Sequence, residues 1–210
     1  MRVAILGGTG SFGRALAVRL VAVGEDEVVI GSRDEARASA TAAELGPEVR
    51  GATNEGAVAG VELAVLAVKA EAALETAASV ASALGMTPLL TVASALQFSR
   101  GGVRPDPEAR SLAERIQDVV AGPVVAGLHS IAAANLDTAP PDEDTLVCGD
   151  DAAAKQLALA LAAKVVAGRA LDAGPLASAR TLEGLTAVIV NLNRRYRAHA
   201  GIVVTGIPAE

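Results

Sequence analysis

Three features of the sequence predict an α/β fold, a doubly wound and mainly parallel sheet with helices on both faces. Over the first 100 residues, short aliphatic runs alternate with Ala-rich helical segments, the rhythm of βαβ units. Aromatics make up only 1% of the 210 residues, with no Trp, one Tyr and two Phe, so the core is closely packed Ala, Val and Leu. Buried parallel strands covered by helices have this composition. Finally, a glycine-rich segment, Gly7–Gly13, follows the first aliphatic run directly and opens the first helical one.

Each element has its own signal. Arg2–Leu6 (RVAIL) predicts a strand, and Ser11–Val23, carrying Leu16, Val18, Leu20 and Val21, predicts a helix. Glu27–Ile30 is the next strand, followed by a helix from Asp34 to Leu45 with Asp34 as N-cap and Gly46-Pro47 as the stop. Glu62–Val68 predicts a strand, Ala70–Leu84 a helix closed by Gly85, and Thr87–Val92 a further strand. After Arg100 the rhythm loosens. Gly101-Gly102 and Pro105-Asp106-Pro107 read as a loop, Glu108–Val120 as a helix, and Pro123–Leu128 and Thr145–Cys148 as strands. A helix from Asp151 to Val166, capped by Asp150 and Asp151, precedes a short strand, Arg169–Leu171. Leu176–His199 reads as one long helix with Leu182, Leu185, Val188, Ile189 and Leu192 on one stripe. Such a stripe is commonly buried against a twofold-related copy. The expected division is therefore a nucleotide-binding domain, 1–175, and a C-terminal helical segment, 176–210, serving a homodimer.

Composition excludes several classes of function. A net charge of −6 opposes a phosphate-backbone partner, and the dearth of aromatics opposes base stacking, so no nucleic-acid partner is expected. No apolar run reaches the roughly 20 residues that span a bilayer, and Met1 opens a strand rather than a signal peptide. The expectation is a cytoplasmic protein without a membrane partner. One cysteine and two histidines are too few for a Cys/His metal site, so no metal is expected. Cys148 reads as a small buried hydrophobe. His199, beside Arg194, Arg195 and Arg197, reads as compensation of a helix C-terminal dipole.

Gly7-Gly8-Thr9-Gly10-Ser11-Phe12-Gly13 satisfies G-x-G-x-x-G between a strand and a helix. The glycines permit a tight turn and let backbone N–H groups approach a pyrophosphate at the positive end of the helix, the Rossmann arrangement. The tip of the second strand then separates the two dinucleotides. NAD sites place a carboxylate there for the ribose 2′-hydroxyl, whereas this chain reads Gly31-Ser32-Arg33, with Arg37 four residues further on. A hydroxyl and two guanidiniums suit a 2′-phosphate, which predicts NADP. The competing reading is that the arginines pair with the neighbouring Asp34 and Glu35.

The segments RVAILGGTGSFG, GSR, LHSIAAANLD, LVCGDD and LDAGPLASAR together resemble the F420-dependent NADP reductases, from Met1 to about Ile202. That family passes a hydride between NADP and the deazaflavin coenzyme F420. The resemblance implies that Thr9, Gly10, Ser11 and Phe12 hold the pyrophosphate and that Ser32, Arg33 and Arg37 hold the 2′-phosphate. It further implies that Val68, Lys69 and Ala70 flank the nicotinamide with Val92, Ala93 and Ser94, and that His129, Ser130, Ile131, Ala132 and Ala133 face coenzyme F420. The chain departs from the family pattern at Lys69 and Ala70, where Pro and a bulky aromatic are usual, and at Ser94 and Ala132, where Pro is usual. Lys69 either serves the acidic tail of a deazaflavin or marks a different acceptor.

Hydride transfer between two ring cofactors needs no nucleophile or metal, only two ring faces held in contact with water excluded. A carbonyl or imine reductase would also need a proton donor, for which His129 and Lys69 are the candidates. His129 stands near the carboxyl edge of the sheet, where open α/β folds bind ligands. A half-buried histidine bonded to a backbone carbonyl is the structural alternative. A non-catalytic NADP-binding redox sensor is the third reading.

Overall fold

The computed structural model describes residues 1–24, 26–136 and 139–207. One eight-stranded sheet organises them, in the order β10-β9-β8-β5-β4-β1-β2-β3. Its strands are β1 (Arg2–Leu6), β2 (Glu27–Ser32), β3 (Arg50–Thr53), β4 (Leu63–Leu66), β5 (Leu89–Thr91), β8 (Val124–Gly127), β9 (Thr145–Gly149) and β10 (Ala170–Asp172). The only antiparallel neighbours within it are β8 and β9. The chain runs outward from β1 through β2 to β3 and then restarts at β4 on the other side of β1. That reversal opens a crevice at the carboxyl ends of β1 and β4, the place where doubly wound sheets take their ligands.

Alternation along β1 fills two separate cores. Val3 and Ile5 pack with Leu16 and Leu20 of α1 (Ser11–Val23) and Leu161 of α7 (Ala152–Val165). Ala4 and Leu6 face the opposite layer, with Val80 and Leu84 of α4 (Ala70–Leu84) and Ile116 of α5 (Leu112–Gln117). Every strand residue named here is fully buried. Small residues let the layers approach closely. A Cβ on Gly51 of β3 would stand 2.4 Å from the Ser39 nitrogen of α2 (Glu35–Leu45), so only glycine lets that edge strand lie against its helix.

Local chemistry sets the boundaries. Asp34 caps α2 by accepting from the Arg37 N–H at 3.2 Å, and Gly46 and Gly85 close α2 and α4 as the sequence predicts. β3, followed by the short α3 (Asn54–Ala57), has no counterpart in the predicted elements; a four-residue edge strand interrupted by glycine leaves no alternating pattern. Where a loop is expected from Gly101 to Pro107, the chain forms β7 (Gly102–Pro105), which pairs with β6 (Leu96–Ser99) in an antiparallel hairpin. The helix expected over 108–120 shortens to α5, because Ser111 and Glu114 form a reciprocal capping box that fixes its start. Asp151 caps α7, but Asp150 accepts from the Leu176 N–H instead.

The predicted helix 176–199 is a 3₁₀ turn, Leu176–Ser178, followed by α8 (Ala179–Tyr196). It ends where Arg197 turns left-handed, so His199 lies beyond the helix and offers only its backbone oxygen, to Asn135. The predicted stripe splits: Leu182 and Ile189 are buried in this chain, Leu185 is half-buried, and Val188 and Leu192 are exposed. Residues 208–210 of the expected C-terminal segment lie outside the described residues. No helix is long and apolar enough to cross a membrane among the described residues.

Candidate functional site

The crevice is a cleft of about 970 Å³ built from the carboxyl ends of six strands and one face of α8. At its first end lies the glycine loop. Gly7 adopts φ +77°, and its N–H and that of Gly8 both donate to the Gly31 oxygen, at 3.0 and 3.1 Å. These bonds tie the loop to the tip of β2. A Cβ on Gly13 would lie 2.7 Å from the Gly7 oxygen and 2.8 Å from the Gly8 Cα, so glycine alone lets α1 begin this close to the loop. Gly10 caps α1 without a side-chain oxygen, which leaves first-turn N–H groups facing the cleft beside Thr9, Ser11 and Phe12. This is an anion cradle of backbone donors.

Ser32, Arg33 and Arg37 line the same end. The Ser32 hydroxyl is nearly buried and accepts from the Asp34 N–H at 3.2 Å, which holds it at the strand tip. The Asp34 carboxylate accepts from the Arg37 backbone N–H, not from its guanidinium. Neither the Arg33 nor the Arg37 guanidinium forms an ion pair among the described residues, so the helix-pairing alternative is not what the structure shows. Asn54 at the end of β3 is a lining residue that the sequence reading missed. It is buried, and its Oδ1 has no hydrogen-bond partner.

The middle of the cleft is the β4–α4 turn. Val68, Lys69 and Ala70 line it, with Thr76 one and a half turns along α4. Lys69 occupies the N-cap position of α4 without capping it, and is exposed.

The second end gathers residues from distant parts of the chain. Val92, Ala93 and Ser94 leave β5, while Leu128, His129 and Ile131 leave β8. Leu128 takes a left-handed φ of +62°, unusual for a branched residue, and so turns the chain at the mouth of the site. Thr186 of α8 donates to the His129 oxygen at 2.9 Å, so at 2.8 Å it is Ser94 that donates to Thr186. The hydroxyl chain binds the ends of β5 and β8 to α8. Thr186 and Val190 also line the cleft, as do Leu96 and Phe98 of the hairpin. These four were not foreseen. The signals were Thr186 and Val190 at i, i+4, and Leu96 and Phe98 two apart before a Gly-Gly turn.

His129 is 6% exposed, and neither ring nitrogen makes a hydrogen bond of ordinary geometry. Burial pushes its pKa down to about 4, opposed weakly by the Ala93 backbone. The ring is therefore neutral at neutral pH, and both of its nitrogens are buried. Ser130 turns instead toward the Asp144 oxygen at 3.5 Å, and Ser130, Ala132 and Ala133 are not among the residues lining the cleft. Cys148 is fully buried, and burial pushes its thiol up to about 12. Among the described residues, no cluster of His, Cys, Asp and Glu could hold a metal ion.

A glycine-loop cradle opening into one large cleft at the switch point of a doubly wound sheet defines a dinucleotide-binding protein of the Rossmann class. The sequence profile described as "NADP oxidoreductase coenzyme F420-dependent" matches residues 2–94. The F420-dependent NADP reductase of Methanothermobacter marburgensis is 38% identical over 99% of this chain and 100% of its own length. The corresponding reductase of Methanothermobacter thermautotrophicus is 34% identical over 100% of this chain and 97% of its own. The chain belongs to the F420-dependent NADP reductase family. Its fold is that of a solved structure from Arthrobacter sp. FB24, a candidate F420-dependent NADP-reductase, with a TM-score of 0.85, 29% identity, and coverage of 98% of this chain and 100% of the other.

Proposed function

We propose that the protein transfers a hydride between NADP(H) and coenzyme F420. One observation carries this reading: a single cleft joins a backbone anion cradle and two unpaired arginines at one end to an apolar recess with unpartnered His129 nitrogens at the other. NADPH supplies a hydride and the oxidised deazaflavin accepts it with a proton.

The chain's own residues bind and orient. The first turn of α1 takes the pyrophosphate, while Ser32, Arg33 and Arg37 take the 2′-phosphate. Val68, Lys69, Ala70 and Ala93 bound the nicotinamide. Ser94, Thr186 and the His129 backbone brace the wall behind the second ring. His129, neutral at working pH, gives that ring one donor and one acceptor and carries no proton of its own to the reaction. Leu96, Phe98, Ile131 and Val190 exclude water from the paired rings.

Residues 1–175 and the first turns of α8 form the catalytic unit, and a second copy covers the outer face of α8. The support is an exposed apolar line, Val188, Leu192 and Tyr196, at helical spacing. Val188→Asp with Leu192→Asp should halve the solution mass seen by light scattering; an unchanged mass would refute the seam. A cytoplasmic location fits a buried thiol and reduced-cofactor chemistry.

The test is direct. Purified protein mixed with NADPH and oxidised F420 should bleach the deazaflavin's visible absorbance rapidly, and much more slowly with NADH. Tight NADPH binding without bleaching would overturn the acceptor assignment.

A further inference from the structure

One buried carboxylate on α8 does not line the cleft and has no part in the chemistry above. Glu183 is 1% exposed, and its Oε1 accepts from the Ala113 N–H at 3.3 Å, with the N–H groups of Leu112 and Ala95 also within its reach. The Ser111 hydroxyl takes the Glu114 N–H at 3.1 Å, so Glu183 serves the first-turn donors of α5 that this cap leaves over. Ala95 belongs to neither helix. It follows Ser94 at the exit of β5, and Ser94 is bonded to Thr186, three residues along α8 from Glu183. Two side chains on one face of α8 thus hold two consecutive residues of the segment that leaves β5.

Ala95 is also the base of the β6–β7 hairpin. Its oxygen accepts from the Asp106 N–H at 2.9 Å, and the Asp106 oxygen accepts from Arg180 Nη2 at 2.6 Å. A Cβ on Gly184 would lie 3.5 Å from Pro105 Cγ, so α8 touches the hairpin base directly beside Glu183. Farther along α8, Asn191 Oδ1 accepts from the Val103 N–H at 2.9 Å, and its Nδ2 donates to the Val103 oxygen at 2.8 Å. These polar clasps matter because the hairpin has little core of its own. Of the residues of β6 and β7 only Val103 is buried, and an isolated two-stranded hairpin is at best marginally stable. Yet Leu96 and Phe98 of this hairpin line the cleft.

A neutral side chain would be buried at lower cost. Withdrawing a carboxylate from water opposes folding, and burial pushes the Glu183 pKa up to about 7. Arg180, three residues earlier on α8, offsets this only in part and directs its guanidinium to the Asp106 oxygen. What the carboxylate supplies is two oxygens that only accept, facing three converging N–H groups. An amide of the same shape turns an NH2 toward one of them. We propose that Glu183 is a positioning residue for the acceptor end: by holding Ala95 beside α5 and α8, it sets the hairpin residues Leu96 and Phe98 in the cleft wall that meets the second ring. This role rests on the F420 reading above.

The experiment compares Glu183→Gln with the wild type at pH 8, where stability and substrate use should move in opposite directions. Removing the buried charge should raise the urea midpoint, while the KM for F420 rises about fivefold or more and kcat and the KM for NADPH stay within about twofold. Amide exchange read by mass spectrometry should quicken over residues 95–106 and slow in the strands of the main sheet. Arg180→Gln releases the Asp106 oxygen on the other side of the hairpin base and should raise the same KM by a smaller factor. A more stable Glu183→Gln protein with an unchanged KM for F420, or with unaltered exchange in the hairpin, overturns the inference, because the carboxylate would then serve α5 alone. Equal rises in both KM values overturn it as well, by spreading the effect over the whole cleft. In each of these cases the wild type still reduces F420 and the hydride reading stands. A wild type that binds NADPH and leaves F420 unreduced defeats the hydride reading itself, and this role with it.

Discussion

The two ends of the cleft are made of different materials. The dinucleotide end is backbone: N–H groups of one loop and one helix turn, glycines that admit them, and two exposed arginines close in sequence to a strand tip. The acceptor end is side chains, drawn from β5, β6, β8 and α8 across about a hundred residues and braced by the Ser94–Thr186–His129 hydroxyl chain. Titratable groups held far from their ordinary range, His129 and Glu183, also lie on that side. An end built from backbone tolerates only glycine changes badly, whereas an end built from packed side chains can be re-lined residue by residue. The departures from the family pattern at Lys69, Ala70 and Ser94 line the middle and second end of the cleft, and none falls within the glycine loop.

The sharpest way to break the contrast is Gly13→Val. Its Cβ would meet the Gly7 oxygen at 2.7 Å, so α1 must move off the loop. NADPH affinity should fall by about 100-fold or more, with about 1–3 kcal/mol of stability lost to overpacking. Deazaflavin fluorescence titration should change little. A comparable loss for both ligands would mean that the two ends are not separable.

Next in size are two pH effects of opposite sign, both from the acceptor side. Folded His129 takes its proton only near pH 4, against 6.5 unfolded, so it lowers stability as pH falls through that window, by at most about 3 kcal/mol. Glu183, 1% exposed and bonded to the Ala113 N–H at 3.3 Å, is pushed by burial up to about 7. Its contribution is present below about pH 4.5 and is lost as pH rises toward 7, again by at most about 3 kcal/mol. Glu183→Gln should therefore raise stability in urea melts at pH 8 and leave it nearly unchanged at pH 4.5. His129→Asn should flatten the acid side alone. A Glu183→Gln curve that tracks the wild type at pH 8 would sink this account.

Arg33→Ala tests the other end. Losing one charged hydrogen bond to a 2′-phosphate should weaken NADPH by about 1.5–3 kcal/mol and leave NADH untouched, with Arg37→Ala close behind. Equal losses for both nucleotides in a Kd comparison would remove the 2′-phosphate role.

The same division governs what could be read from the sequence. The glycine loop, Ser32, Arg33 and the caps at Asp34, Gly46, Gly85 and Asp151 depend on residues within a few positions of one another, and the structure has each element where local chemistry puts it. β3 was illegible because Gly51 serves packing against α2 rather than an alternating pattern. The hairpin was hidden by its Gly-Gly and Pro-rich flanks, which read as loop. Thr186 and Val190 were masked by a stripe of leucines that suggested a single purpose for α8. The helix in fact divides its circumference among the core, the cleft and an exposed apolar line. Asn54, Thr186 and Phe98 reach the cleft through tertiary contacts that no local pattern encodes.

The smallest effect tests whether the hydroxyl chain matters to the acceptor end at all. Thr186→Val keeps the shape and removes the donor to the His129 oxygen and the acceptor for Ser94. The buried carbonyl and hydroxyl then lose their partner, at about 0.5–1.5 kcal/mol of stability. Because α8 no longer fixes the ends of β5 and β8, the KM for F420 should rise several-fold while that for NADPH holds. Thr186→Ser, which retains the hydroxyl, should restore it. A variant that loses stability with both KM values unchanged would make the chain a packing device and leave His129 alone to orient the second ring.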